Sequence, residues 1–457
     1  MERKTITLEK QVIPVARECD VVVLGGGPAG IGAAIASARN GAKTVLVERY
    51  GFMGGMATAG LLPVITGTNS KTERIVKGVC QDLIDRMVAI GGAIDRQELP
   101  YPDSSQVTYE PNPFKYVADQ MMKEAGVDVF LHTFFCDCIV ENHEITGVII
   151  ESKSGRQAIL AKYVIDATGD GDVAARAGAP FVKGRESDGL LMGVTMCFNL
   201  RNVNIGVDVG RKRLKEFPEY NEMLYNCIEK ARKNGDFPWT PEYREGKDGK
   251  PYVVGPWLEN LIKPDEISVN FTTLFGDPTV VEDLTRMEME GREYVQKFIQ
   301  FFRKYVPGFE NCCLTEVAPQ LGIRESRRIC GEYTLTAEDV HEGSRFDDEI
   351  AVGGSWSIDI HRSFYGDEHI FETVQNTFDI PYRCLLAKNV KNLLTAGRCI
   401  SVSRVGLGII RLMAPCFAIG EGAGVAAALA TKEGKELREL DVKKIQQTLR
   451  DEGAFLR

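Results

Sequence analysis

Residues 20–48 constrain this chain more than any other stretch. Val21 to Leu24 is a continuous apolar run, as expected of a strand buried on both faces. It leads directly into Gly25-Gly26-Gly27-Pro28-Ala29-Gly30, a Gly-x-Gly-x-x-Gly pattern. The first glycine permits a tight turn, the second lets a pyrophosphate approach the backbone, and the third lets the next helix pack close to the strand. That helix directs its first N–H groups at the phosphates. It is rich in alanine and ends at Asn40-Gly41, a C-cap signal. A second apolar strand ends in Glu48, 18 residues after Gly30, where a carboxylate can accept hydrogen bonds from an adenosine ribose. Strand, glycine turn, helix, strand and acid together specify a dinucleotide site in a Rossmann-like domain. Glu48 argues against a ribose 2′-phosphate, with only Arg49 beside it pulling the other way.

Three further stretches identify the dinucleotide. Arg49-Tyr-Gly-Phe-Met-Gly54-Gly55-Met56-Ala57-Thr58-Ala-Gly60 is glycine-rich and lacks helical periodicity. Tyr163-Val-Ile-Asp-Ala167-Thr168-Gly169 is an apolar strand ending in small residues that let a backbone pass close to a ligand. Asn392-Leu-Leu-Thr-Ala396-Gly397-Arg398 is another such strand, followed by Arg411 and an Ala/Gly-rich helix. Here the chain resembles flavoproteins of the glutathione-reductase-like superfamily, and most closely the FAD-dependent oxidoreductases within it. Fumarate reductase and succinate dehydrogenase flavoproteins are more distant. The resemblance implies FAD, held by Gly25, Gly27, Pro28, Ala29, Gly30, Glu48, Arg49, Gly54, Gly55, Met56, Ala57, Thr58, Phe135, Ala167, Thr168, Gly169, Gly397, Arg398, Arg411 and Met413. It also implies that the final helix points its N-terminus at the flavin pyrimidine ring. An Asp commonly follows the Ala-Gly to hold the ribitol, but Arg398 stands there, as in the narrower family, so the ribitol partner stays open. In the fumarate reductase group a histidine after the ribose acid bonds covalently to the flavin. Residues 51–60 contain no His, Cys or Tyr, so non-covalent FAD is expected, with the distant Cys399 the remaining nucleophile to consider.

The expected fold is α/β: a Rossmann-like FAD-binding domain with a central parallel sheet and a β-meander, plus an inserted α+β substrate domain. The FAD domain takes residues 1–185, with a helical excursion over about 70–125, and resumes at 386–457; residues 186–385 form the insertion. In the excursion, Val76, Val79, Cys80, Leu83, Ile84 and Met87 recur at helical spacing, and Asn112-Pro113 reads as the start of a second helix that ends at Gly126. Leu99 to Ser105 is a loop. Val127 to Leu131 reads as a parallel strand, and 139–151 as a meander. Residues 208–235 are strongly charged, and Val280 to Tyr305 has the pattern of a long amphipathic helix.

The insertion carries the candidate chemistry: Arg324, Arg327 and Arg328 in one stretch, then Ile358-Asp-Ile-His361, then Tyr382-Arg383. Any of the first three can pair with Glu325 and its neighbours, or hold a substrate carboxylate or the charge of reduced flavin. His361 is the best general acid or base among five histidines. Tyr382 and Arg383 are candidates because their strand leads back to the flavin domain, and Arg404 follows them. Asp170 and Asp172 lack a His or further acid at ligand spacing, so no metal is expected.

Composition excludes some classes. A net charge of −9 and pI near 5.4 give no basic footprint for nucleic acid. Residues 1–7 have no apolar signal core, and twelve cysteines in 457 residues read as reduced buried thiols, so a cytoplasmic setting is expected. Leu412 to Ala430 is long enough to span a bilayer, but Glu421 and Pro415 within it favour a buried helix. No cysteine pair follows the fingerprint helix, against disulfide reductase activity, and no second Gly-x-Gly-x-x-Gly follows a strand in 180–390. The leading expectation is an oxidoreductase moving hydride between flavin N5 and a small polar metabolite, with or without a carboxylate. A non-redox lyase, hydratase or isomerase, and an electron-transfer subunit, are the alternatives; a homo-oligomer or an electron-transfer partner is compatible with either.

Overall fold

The computed structural model describes residues 5–6, 10–98, 101, 103–204, 218–237, 243–245, 251–253, 257–354 and 356–457. Strand β1 (Val15–Leu24), helix α1 (Pro28–Arg39) and strand β2 (Thr44–Val47) form the expected unit. β1 and β2 run parallel, with Val21 opposite Thr44 and Leu24 opposite Val47, and the Val21–Leu24 side chains are buried on both faces. Helix α1 stops at Asn40, and Gly41 takes φ +89°, a conformation glycine adopts without strain.

β2 pairs in parallel with Asp128–Phe130. On its other side β1 pairs in parallel with the long strand Gly155–Asp166, which divides its edges. Residues 155–160 bond antiparallel to Glu144–Ser152, which pairs with Phe134–Glu141, so this is the expected meander. Residues 164–166 bond in parallel to Leu393–Thr395, from the far end of the chain. The excursion contains helices Gly78–Ala89 and Pro111–Ala125. The second starts earlier than Asn112-Pro113 suggests. Glu110 is its N-cap in extended conformation, and Pro111, with φ preset and no N–H to satisfy, occupies the first position. Leu99, Pro100 and Pro102 of the expected loop lie outside the described residues; Asp103–Ser105 is a short 3-10 turn leading into a strand, Gln106–Tyr109.

A second hydrophobic core draws on residues from Val194 to Ile323. Its sheet is antiparallel, in the order Trp257–Asn260, Ile267–Asn270, Phe198–Arg201, Cys313–Val317. Helix Val281–Tyr305 buries Met287, Val295, Phe298, Ile299, Phe301 and Phe302 against it. Residues 208–217 of the charged stretch lie outside the described residues; helix Pro218–Lys233 follows. The insertion is smaller than 186–385. Leu335, Val340, Ile350, Phe378, Ile380 and Leu385 join the first core instead, because strands Glu349–Gly353 and Phe378–Pro381 pair and lie along the last long helix.

That helix, Met413–Glu433, is long and apolar enough to cross a membrane by composition, yet it is buried inside the FAD domain. It crosses α1 backbone to backbone. A Cβ added at Gly420 would lie 2.0 Å from the Ala29 carbonyl oxygen, and one at Gly424 2.2 Å from that of Ala33. Glu421, in the middle of this apolar helix, accepts the Val79 N–H at 3.3 Å and so caps Gly78–Ala89. Burial pushes its carboxyl up to about 8. The folded protein therefore holds that proton more tightly than the unfolded chain, so this contribution to stability is full below pH 4.5 and is lost as pH rises towards 8. Glu421→Gln is expected to remove roughly 2–5 kcal/mol of pH dependence across that window. Melting temperatures of both proteins at pH 5.5 and 8.5 check it; parallel shifts in the two would refute the assignment.

Candidate active site and cofactor cleft

A cavity of about 1210 Å³ lies between the two cores. One small ligand usually occupies about 300–1,000 Å³, so this space suits a dinucleotide and a substrate together. Of the residues expected to hold the cofactor, Gly25, Gly27, Pro28, Ala29, Glu48, Arg49, Gly55, Met56, Phe135, Ala167, Thr168, Gly169, Gly397, Arg398, Arg411 and Met413 line it. Gly30, Gly54, Ala57 and Thr58 stand behind the wall and shape it. Gly30 packs against the Gly25 carbonyl, Gly54 donates to the Gly26 carbonyl at 2.7 Å, and Thr58 donates to the Met53 carbonyl at 2.8 Å. The Ala57 carbonyl accepts the Tyr109 hydroxyl.

The fit to a dinucleotide can be tested on the protein alone. A Cβ at Gly27 would meet nothing nearer than Gly55 Cα at 3.8 Å, so open space lies where the N-terminus of α1 meets the cavity. Among the described residues no side-chain cap bond closes that terminus or that of Met413–Glu433, and both open on the same cavity. Their unpaired N–H groups suit the pyrophosphate at one end and the electron-rich flavin ring at the other. Glu48 is buried, which pushes its carboxyl up; its oxygens accept the N–H groups of Gly26 at 2.6 Å and Tyr50 at 3.0 Å and keep lone pairs for a ribose. Arg49 donates to Gln320, as does the Tyr50 hydroxyl at 2.7 Å, while still lining the cavity.

Arg398 takes up the question of the ribitol. Its guanidinium pairs with Asp170 at 2.8 Å and donates to Ser326 Oγ at 2.8 Å. Burial opposes a charge on Asp170, but Arg398 and Ser326 outweigh it and hold the carboxyl below its usual range. An acid is thus present beside the Ala-Gly strand end, supplied from the Ala-Thr-Gly-Asp turn. Asp166, buried at the end of the long strand, fixes that turn by accepting the N–H groups of Thr168 and Ala174 at 3.1 and 2.9 Å.

The arginine-rich stretch separates into two roles. Arg327 pairs with Asp172 at 2.8 Å, while Arg328 and Arg404 share the buried Glu325. Arg324 instead lines the cavity. It donates to Gly193 O at 2.9 Å and Thr195 Oγ1 at 2.7 Å, and has no carboxylate partner among the described residues. Burial and the neighbouring charge of Arg411 pull its guanidinium down to about 10.

His361 lines the same cavity, at the end of strand Ser357–Ile360. Its Nε2 lies 3.0 Å from Asp359 Oδ2, and His369 Nε2 lies 2.6 Å from Asp359 Oδ1; the two imidazoles stack with centroids 4.4 Å apart. Arg411 donates to Asp359 Oδ2 at 2.9 Å. Burial opposes the Asp359 charge, but His361, His369 and Arg411 hold the carboxyl well below the usual range. Burial and Arg324 keep His361 neutral, its pKa down at about 3.

Tyr382 and Arg383 are a correction to the expected site. The chain turns at Tyr382–Cys384 and carries both away from the cavity. Tyr382 is buried and donates to Leu437 O at 3.0 Å; Arg383 pairs with Asp348 at 2.9 Å. Asp359, His369 and Gln320 are among the wall residues that were not expected in the site. Asp359-x-His361 puts two polar side chains on one face of a strand. Strands Ser357–Ile360 and Ile370–Thr373 pair with Ile360 opposite Ile370, so the next step outward sets His369 across from His361. Gly366, with φ +87°, was the available hairpin signal.

A cleft of this kind in a Rossmann-like domain, with an insertion facing it, defines an FAD-dependent flavoenzyme. The sequence matches the FAD dependent oxidoreductase family over residues 20–449, and the chain belongs to that family, with FAD as its cofactor. It is 31% identical over 160 residues to thiamine thiazole synthase of Methanococcus vannielii. That alignment takes in 33% of this chain and 56% of the relative, so the chain spans about half the relative's length. Among solved structures it is similar to a geranylgeranyl bacteriochlorophyll reductase-like protein from Thermoplasma acidophilum, with TM-score 0.47, 13% identity, 95% of this chain and 84% of the other. GidA of Aquifex aeolicus is similar at TM-score 0.46 and 17% identity, over 92% of this chain and 64% of the other.

Proposed function

We propose that this enzyme is a dehydrogenase or reductase for a small polar metabolite bearing a carboxylate, with non-covalently held FAD. The observation that carries the reading is Arg324, a cation in the cavity wall whose hydrogen bonds go to neutral acceptors. Arg324 is half-buried and Asp359 acts on it only through space, so an anionic group on the ligand would complete its hydrogen bonding. Bound FAD supplies the hydride acceptor or donor. Arg324 orients the carboxylate, and Asp359 with Arg411 fixes the imidazole wall beside it. Cys399 supports non-covalent attachment: it is buried, donates to the Asp166 carbonyl, and burial drives its thiol pKa well up. A cytoplasmic setting and an electron acceptor that reaches the flavin directly are part of the same proposal.

An anaerobic panel of 2-hydroxy, 2-amino and saturated carboxylic acids, each beside its neutral amide, tests this by bleaching of the flavin absorbance. Carboxylates are expected to bleach it. Arg324→Met is then expected to keep the FAD content and spectrum while slowing reduction about 30- to 200-fold, the loss of one charge-assisted pair worth about 2–3 kcal/mol. Bleaching by the amides as fast as by the acids, or an unchanged rate in Arg324→Met, would overturn the carboxylate reading.

A further inference from the structure

We infer that Asp359, His361 and His369 form a binding site for one divalent transition-metal ion in the wall of the cavity. The expectation of no metal rests on Asp170 and Asp172; His369 becomes a neighbour of Asp359 and His361 only when the hairpin closes.

The geometry is that of a coordination site. One ligand atom from each residue lies within 4.8 Å of the others, the only such trio of His, Cys, Asp or Glu among the described residues. The two carboxylate–imidazole separations are 3.0 and 2.6 Å. Donors held about 2.1 Å from one ion stand about 3.0 Å apart at octahedral corners and about 3.4 Å apart at tetrahedral ones. His361 approaches Oδ2 of Asp359 and His369 approaches Oδ1, with all three ligand atoms within 4.8 Å of one another, so an ion would draw both rings and the carboxylate towards one point. Two imidazoles and one carboxylate suit zinc, cobalt, iron or manganese, and exclude the oxygen-only preference of calcium and magnesium.

The surroundings support the same assignment. All three ligands come from one hairpin and approach from one side, and all three line the cavity, so the remaining coordination positions face open space. Arg411 donates to Asp359 Oδ2 at 2.9 Å and to the Asp359 carbonyl at 2.8 Å, an outer contact that aims the carboxylate. Arg324 and Arg411 add positive charge nearby, so the ion is held best when an anionic ligand is also present. A 2-hydroxy or 2-oxo carboxylate would place an oxygen on the ion and its carboxylate on Arg324. That last step rests on the reading of Arg324 above; the ion site itself does not.

The test needs no substrate. Holoenzyme is stripped with EDTA, loaded separately with Co²⁺, Zn²⁺ or Mn²⁺, desalted, and its metal counted by mass spectrometry. The expected result is about one Co²⁺ or Zn²⁺ per chain in the wild type, falling at least tenfold in His369→Gln and Asp359→Asn at unchanged FAD content. If either variant fails to fold, X-ray absorption on the zinc-loaded wild type decides instead, with two imidazoles in the first shell expected. No retained metal in the wild type, equal retention in the folded variants, or a first shell without imidazole would each overturn the site. Metal retained without any carboxylate bleaching the flavin would leave this site standing and remove only the substrate reading.

Discussion

Gly27→Val is expected to give a folded, colourless protein. Two observations separate the loss of cofactor from the loss of fold. The backbone at Gly27 is extended, with φ −74° and ψ −175°, which valine adopts readily. Its Cβ would meet only Gly55 Cα, at 3.8 Å, so the protein leaves room for the branching atom. The added atoms would instead occupy the cavity before the first N–H groups of α1, where the pyrophosphate must sit. FAD content after desalting is expected to fall by at least about 100-fold, with a far-ultraviolet circular dichroism spectrum like that of wild-type apoprotein. A yellow variant with wild-type FAD content would show that the phosphates bind elsewhere. Gly30→Ala is the contrasting case: its Cβ would stand 1.7 Å from the Gly25 carbonyl oxygen, so fold and cofactor should fail together.

Gly424→Ala sets two rules of opposite sign against each other. Helix propensity alone favours alanine over glycine by about 1 kcal/mol in a helix interior. Packing opposes it, since the new methyl would lie 2.2 Å from the Ala33 carbonyl oxygen, a backbone atom of α1 that cannot swing aside. Overpacking of this kind costs typically about 1–3 kcal/mol and more where backbone must shift, so net destabilisation of about 2 kcal/mol or more is expected. Urea unfolding of the apoprotein measures it directly. A stabilised variant would mean that the two helices separate easily and that their crossing does not depend on the missing side chains.

The residues that line and shape the cofactor cleft were legible because each is tied to its neighbours in sequence. Gly25 to Gly30, Glu48, the Ala167-Thr168-Gly169 strand end and the small-residue helix each carry a local reason for their composition. The chemistry at the other end of the cavity depends on partners that meet only in the folded chain. Arg398 finds Asp170 across 228 residues, and Arg324 is singled out only because Glu325, Asp172 and their neighbours engage the adjacent arginines. Tyr382 and Arg383 failed as site residues for a related reason. A strand that leads towards a cofactor says nothing of where the turn after it directs its side chains. Glu421 looked out of place in an apolar helix until the Val79 amide gave it a partner.

The shared edge of the long strand Gly155–Asp166 has a consequence for biosynthesis. Residues 164–166 of that edge, and the face of α1 that packs on Met413–Glu433, remain without partners until residues 393–433 have been made. Ala33 and Gly424 are about 390 residues apart in the chain, so at ~5–20 residues per second the nascent N-terminal half waits roughly 20–80 s for its closing helix. During that interval an Ala/Gly-lined trough and an open strand edge are exposed, the kind of surface that recruits holdase chaperones and slows folding of high contact order. FAD can be enclosed only after the last of the cavity-wall residues, Cys416, has left the ribosome.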